Sequence, residues 1–353
     1  MQDYLENKLL QRINKCRLFS RYFGPSLRQR INTRHWFENR FIQAALRDTG
    51  WIEKHERLLK EVGIERVRNS CHIFHGLDGN DPDYDLKIFD VLAEVRLIRW
   101  ARYDGYTSIE KLIPNREPTP DFLMRKDEEL TVAEAKHFRE RDFLPEFLYD
   151  RLTGLLLKTG CLSKFGIFVN TTCRYDCERK NLLRTRLECE HKYREIIREE
   201  LAEEWLKKLE LRLTDDPEEE LQIVDGLFIV SKSEAPHDVG VGWGPPTDGA
   251  ELMLEKLGGN LMKALEQIKP FVERQPLPGT STRALVFLSG TDPWSIEWSD
   301  MWEALCEPKN QSLLNKVGGI HREASQFIGI PFELIVGKGN PLRYVRFPWI
   351  RKR

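Results

Sequence analysis

The chain has no apolar run approaching the roughly 18 residues that cross a bilayer. Its opening residues, MQDYLENKLLQRINK, are too polar for a secretory signal. Cytoplasmic residence without a membrane partner is therefore the expectation. Cysteine is sparse and irregular: seven in 353 residues, an odd number with no framework spacing, point to reduced thiols rather than disulfides. There is no internal repeat and no low-complexity tract. A Walker-type phosphate loop is missing as well, because Gly240 to Gly244 lacks the Lys-Ser/Thr ending, so ATP use is not indicated. Neither sign of charge dominates, with a formal net charge of -1.

What is present suits a folded chain of two or three units, with 41% hydrophobic residues in 41.5 kDa. The balanced net charge conceals an asymmetry. Residues 1–50 carry ten bases (Lys8, Arg12, Lys15, Arg17, Arg21, Arg28, Arg30, Arg34, Arg40, Arg47) against four acids (Asp3, Glu6, Glu38, Asp48). Such a surplus attracts a phosphate backbone, and Arg28, Arg30, Arg34 and Arg40 are its candidate nucleic-acid contacts. Interleaved aromatics, Phe19, Tyr22, Phe23, Trp36, Phe37 and Phe41, suit base stacking, although their helical spacing suits a packed stripe better. A second basic cluster, Arg343, Arg346, Arg351, Lys352 and Arg353, closes the chain.

Three regions are expected: a helical basic segment over 1–75, a core over 76–235 and an α/β region over 236–353. The first 60 or so residues read as helices broken near Gly24-Pro25 and Gly50, and the Gly/Asp/Asn/Pro-rich stretch to about Tyr84 reads as a loop. Leu86, Ile88, Phe89, Leu92, Val95, Leu97 and Ile98 predict a helix over 85–103, and a second amphipathic helix is expected over 144–158. Phe165 to Val169 reads as a buried strand, 182–211 as a long charged helix, 221–230 as one strand and 233–249 as a loop or linker. Helices near 250–272 and 299–314 and strands near 284–288 and 331–336 complete an α/β chain.

Pro120-Asp121-Phe122-Leu123-Met124 and Thr131-Val132-Ala133-Glu134-Ala135-Lys136 read as a hairpin with a charged turn from Arg125 to Glu129. Alternation along a strand sends Glu134 and Lys136 to one face and Ala133 and Ala135 to the other. Asp121 and Glu134 then offer two carboxylates, and the backbone carbonyl of Ala135 a third oxygen, to a hard cation such as Mg²⁺ or Mn²⁺. Lys136 can hold an attacking water and meet developing negative charge. Glu94 interrupts an apolar stretch of the 85–103 helix and needs a metal, a lysine or water to offset its burial.

Pro120-Asp121, twelve residues, then Glu134-Ala135-Lys136 resembles the PD-(D/E)xK nuclease superfamily, also called restriction endonuclease-like. The resemblance spans about 85–170 and implies a central mixed sheet flanked by helices: a helix often bearing an active-site Glu (here Glu94), the hairpin, a further helix (144–158) and a further strand (165–169). It implies catalytic roles for Glu94, Asp121, Glu134 and Lys136, with metal on Asp121, Glu134 and the Ala135 carbonyl. Exonuclease-type members often carry a Gln and a Tyr four residues apart on the helix after the lysine. The 144–158 helix has Tyr149 but no partnering Gln, which favours a DNA endonuclease of a defence, mobile-element or repair system. Self-association as a dimer, or a protein partner in a multi-component system, is compatible with that reading.

Two rivals stand beside it: a non-cutting nucleic-acid-binding or scaffold protein on the same fold, and an interaction protein docking through the 182–211 helix. Cys173, Cys177, Cys189 and His191 are ligand types for zinc, but their irregular spacing favours reduced thiols. His72, His75 and His137 read as surface or packing residues.

Overall fold

The computed structural model describes residues 2–33, 39–48, 50–81, 84–137, 166–171, 221–223, 228–233, 239–243, 249–274, 281–289, 311–337 and 344–346. Contacts divide the chain into two units, one formed by Met1–Leu9, Ile31–Thr49 and Arg141–Asp248, the other by Leu10–Arg30, Gly50–Glu140 and Gly249–Arg353. The second unit is a mixed α/β structure built on a sheet flanked by helices, and it carries the hairpin.

That sheet has six strands: β1 (Ser108–Lys111), β2 (Phe122–Lys126), β3 (Glu129–His137), β8 (Ser281–Ser289), β9 (Phe332–Gly337) and β10 (Tyr344–Arg346), adjacent in that order. β1, β2 and β3 pair antiparallel, β8 and β9 run parallel to β3, and β10 returns antiparallel. The β2–β3 turn is tighter than expected: Lys126 pairs with Glu129, leaving Asp127 and Glu128, with Asp127 at φ 51°. Aspartate tolerates that left-handed conformation, which suits a two-residue hairpin.

The expected strand at 165–169 exists as β4 (Gly166–Thr171), but it does not join the hairpin. It lies in the first unit's four-stranded sheet, ordered β5 (Leu221–Ile223), β6 (Phe228–Ser233), β4 and β7 (Val239–Trp243). The hairpin's parallel neighbour is β8, in register from Glu129↔Ser281 to His137↔Ser289. Ala284 to Leu288 are all buried, the continuous apolar run of a parallel strand covered on both faces. The 221–230 run holds two antiparallel strands rather than one, and the 233–249 stretch contains β7.

Two helices cover the six-stranded sheet near the hairpin. α7 (Tyr84–Tyr103) is buried along Ile88, Leu92, Ala93, Val95, Leu97, Ile98 and Ala101 and packs on β3 and β8. It meets the face of Ala133 and Ala135, where Phe89 stacks on His137 at 5.2 Å and Trp100 lies 6.4 Å from Phe287. His137 is thus a packing residue. On the other face, α8 (Gly249–Arg274) and α9 (Gln311–Ile328) bury Leu257, Leu261, Leu265, Ile268 and Ala324 against Val132, Ala284, Val286 and Leu288. Glu134 and Lys136 share that second face, as alternation requires. The expected helices at 144–158 and 182–211, and the 299–310 part of the one expected near 299–314, lie outside the described residues, while 311–314 begin α9.

The N-terminal helices include α1 (Gln2–Lys15), α2 (Arg17–Tyr22), α3 (Gly24–Ile31), α4 (Arg40–Arg47) and α5 (Trp51–Glu61). Phe19, Phe23 and Phe41 are core residues, and Phe19 and Phe23 stack at 5.1 Å, so these three rings are packed; Trp36 and Phe37 lie outside the described residues. The segment expected as a loop before α7 carries a 3₁₀ turn (Ile64–Arg66) and the short helix α6 (Cys71–Phe74).

Candidate active site

The hairpin brings Asp121, Glu134 and Lys136 together where β2 and β3 begin to part. The Asp121 amide donates to Glu134 Oε2 at 3.0 Å, and the Ala135 amide donates to Asp121 Oδ2 at 2.8 Å. Each carboxylate therefore grips the other strand's backbone. Lys136 Nζ donates to Glu134 Oε1 at 2.6 Å.

Sequence reasoning missed two members of this cluster. The first is Lys111, on β1. Register places Lys111 opposite Phe122, and Phe122 opposite Ala133, so its side chain leaves the face covered by α7. There Lys111 Nζ stands 2.8 Å from Glu94 Oε2 and donates to Asp121 Oδ1 at 2.6 Å. The signal available was a lysine two positions after Ile109 in a short alternating strand, which reads equally well as a solvated residue. The second is Gln267, on α8. With its amide nitrogen turned to the carboxylate, as the surrounding acceptors require, Gln267 donates to Glu134 Oε2 at 2.9 Å and also touches Oε1. The same end of the amide lies 3.4 Å from Lys136 Nζ. So a helix reaching the sheet from residue 249 onward brings a glutamine to Glu134. Four residues on, the position holds buried Phe271 rather than a tyrosine.

Charge governs the cluster. Burial first, and the Asp121 charge second, push the Glu134 carboxyl up to about 8 against the partial relief given by Lys136. Burial and Asp121 likewise hold Glu94 well above the ordinary carboxylate range. For Lys111 burial opposes the charged form, but Asp121 and Glu94 outweigh it and raise the ammonium above its usual value; Glu134 does the same for Lys136. Three carboxylates face two lysines. Glu94 Oε2 is buried 2.8 Å from Lys111 Nζ.

Among the described residues no group of three or more His, Cys, Asp or Glu side chains stands close enough together to hold a metal ion. The donor chemistry nonetheless fits a hard divalent cation. Asp121 and Glu134 are carboxylates, oxygen donors suited to such an ion, and buried Glu94 adds to the same surplus of negative charge.

Of the basic N-terminal candidates, the side chains of Arg28 and Arg30 are described. Arg30 is buried: its guanidinium lies over the Tyr84 ring at 5.9 Å and reaches the Asp81 carbonyl at 3.5 Å, so burial removes it as a phosphate contact. Gly79 permits that packing, since a Cβ there would stand 2.1 Å from the Ser26 carbonyl oxygen. Arg28 donates to Asn14 at 2.8 Å and Ser20 at 3.0 Å while remaining at the surface. Arg34 and the side chain of Arg40 lie outside the described residues, as do Cys173, Cys177, Cys189 and His191. Part of the counted surplus is neutralised, because Arg12 pairs with Glu53 and both Arg17 and Arg21 pair with Glu65. No helix among the described residues is long and apolar enough to cross a membrane.

Comparison with family models, with curated proteins and with solved structures gives no match to this chain.

Proposed function

We propose that this chain is a divalent-metal-dependent nuclease of the PD-(D/E)xK type, hydrolysing phosphodiester bonds in DNA. The observation that carries the reading is the convergence of Asp121, Glu134 and Lys136 across the hairpin, joined by reciprocal backbone hydrogen bonds. Its support includes the packing of α7, which carries Glu94, and of α8 on the sheet strand β3 of the hairpin.

Asp121, Glu134 and the Ala135 carbonyl would hold Mg²⁺ or Mn²⁺. A bound cation supplies Lewis-acid polarisation of the phosphoryl group and a lowered pKa for a bound water. Lys136, anchored by Glu134, would orient an attacking water and donate to the phosphate oxygens where negative charge grows as water adds to phosphorus and the P–O bond to the leaving alcohol breaks. Gln267 holds Glu134 from the α8 side, which fixes the direction of the lysine. The ground for preferring an endonuclease was a missing glutamine; with Gln267 beside Glu134, closed-circular and linear DNA are both candidate substrates.

The test is cleavage of supercoiled plasmid, linear duplex and single strands in Mn²⁺ against EDTA, with Asp121→Ala and Lys136→Ala as controls. Metal-dependent cutting lost in both variants is the expected result; cutting that persists in both overturns the site. One observation favours a second reading. Lysines already neutralise carboxylates in this cluster, as in a structural ion-pair network on a non-cutting nucleic-acid-binding protein. DNA binding with no cleavage under any metal selects that reading.

A further inference from the structure

Lys111 has no place in the roles given to Asp121, Glu134 and Lys136, yet it is the more enclosed of the two lysines, its side chain 5% exposed against 23% for Lys136. Its ammonium stands between Glu94 and Asp121, 5.1 Å from the centre of the Phe122 ring. The backbone cannot yield. The Lys111 amide donates to the Arg68 carbonyl at 3.0 Å, and its carbonyl accepts from Asn69 Nδ2 at 3.2 Å. Only the end of the side chain is free to relocate. Around it the oxygens come from two elements: Glu94 from α7 and Asp121 from the start of β2. A hard cation seeks the same oxygens, and Asp121 Oδ1 is engaged by this lysine in its absence.

We propose that Lys111 is a resident counter-cation of the site, an ammonium that neutralises Glu94 and Asp121 until a divalent cation displaces it from Asp121. The inference rests on the nuclease reading, because it takes Asp121 as a metal ligand. It differs from an ordinary ion pair in one respect. The one ammonium is shared by carboxylates of two elements, 2.8 Å from Glu94 and 2.6 Å from Asp121, so it can keep Glu94 while a cation takes Asp121. Removing the ammonium leaves the carboxylates less neutralised, which weakens the metal-free protein and strengthens its hold on a cation.

The experiment measures Mn²⁺ binding to the full chain by the electron paramagnetic resonance of free Mn²⁺, with melting temperatures in EDTA and in Mn²⁺. Wild type, Lys111→Met and Lys111→Arg are compared. Lys111→Met is expected to bind Mn²⁺ about tenfold or more tightly than wild type, since a unit charge beside a partly buried ligand is worth at least that factor. It should melt lower in EDTA and recover in Mn²⁺. Lys111→Arg, which keeps the charge, should stay within about twofold of wild type. Wild-type binding with no gain in folded Lys111→Met overturns the role of Lys111 while leaving the metal site standing. Absence of Mn²⁺ binding in wild type and Lys111→Met alike overturns both. If Lys111→Met is unfolded in EDTA, refolding on addition of Mn²⁺ supports the proposal, and failure to refold overturns it.

Discussion

Asp121 and Glu134 lock each other's strands: the Asp121 amide binds Glu134 Oε2 at 3.0 Å, while Asp121 Oδ2 takes the amide of Ala135, next to Glu134, at 2.8 Å. The two acids are therefore part of the hairpin's own hydrogen bonding as well as candidate metal ligands. Their removal should be felt in the fold before any substrate is added.

Asp121→Ala takes the acceptor from the Ala135 amide and a carboxylate partner from buried Lys111. The expected cost is about 2–4 kcal/mol, in the range for breaking a buried pair, tempered by the partial exposure of Asp121. Urea unfolding of the metal-free protein measures it, with Asp121→Asn expected to cost roughly half as much because it keeps an acceptor oxygen. A loss in Asp121→Ala below about 0.5 kcal/mol, as for an ordinary surface change, would contradict the locking role.

Metal-free stability should fall as pH rises from about 4.5 to about 8. Glu134 has its carboxyl raised from 4.5 to about 8 by burial and Asp121, so the fold binds this proton more tightly than the unfolded chain does. The stabilisation is complete below the unfolded value and disappears as pH passes the folded one. Glu94 acts in the same direction. Melting temperatures in EDTA across pH 5 to 9 should slope downward in wild type and flatten in Glu134→Gln; an equal slope in both assigns the effect to other groups.

Gln267→Ala removes a donor to Glu134 from α8. Cleavage is expected to slow by about tenfold through looser placement of Lys136. A side chain that only filled space would leave the Glu134 proton affinity alone. Here the lost hydrogen bond should move the midpoint of the pH–stability curve upward.

A fragment covering 76–235 should not fold into the hairpin's sheet, because β3 would lose its parallel neighbour β8. Circular dichroism of the fragment checks this. In the full chain Phe287→Ala, on β8 beneath Trp100, should cost about 3–5 kcal/mol as a large buried side chain is deleted. A change near zero would place Phe287 outside the core.

The sequence by itself determined the parts of this protein that depend on near neighbours. Period-3.6 apolar spacing located α7, period-2 alternation placed Glu134 and Lys136 on one face, and the burial cost of a lone acid singled out Glu94. The tertiary structure decided which distant segments complete the sheet and the site. β3 pairs with β8, 152 positions later in register, and a backbone ladder has no sequence-specific code that names its partner. Lys111 and Gln267 arrive through that same assembly, one from each face. A lysine on a short strand and a glutamine on an amphipathic helix are ordinary residues until packing sets them against buried carboxylates. Burial also reversed the reading of Arg30, since a basic count cannot tell a phosphate contact from a guanidinium enclosed beneath the Gly79 loop.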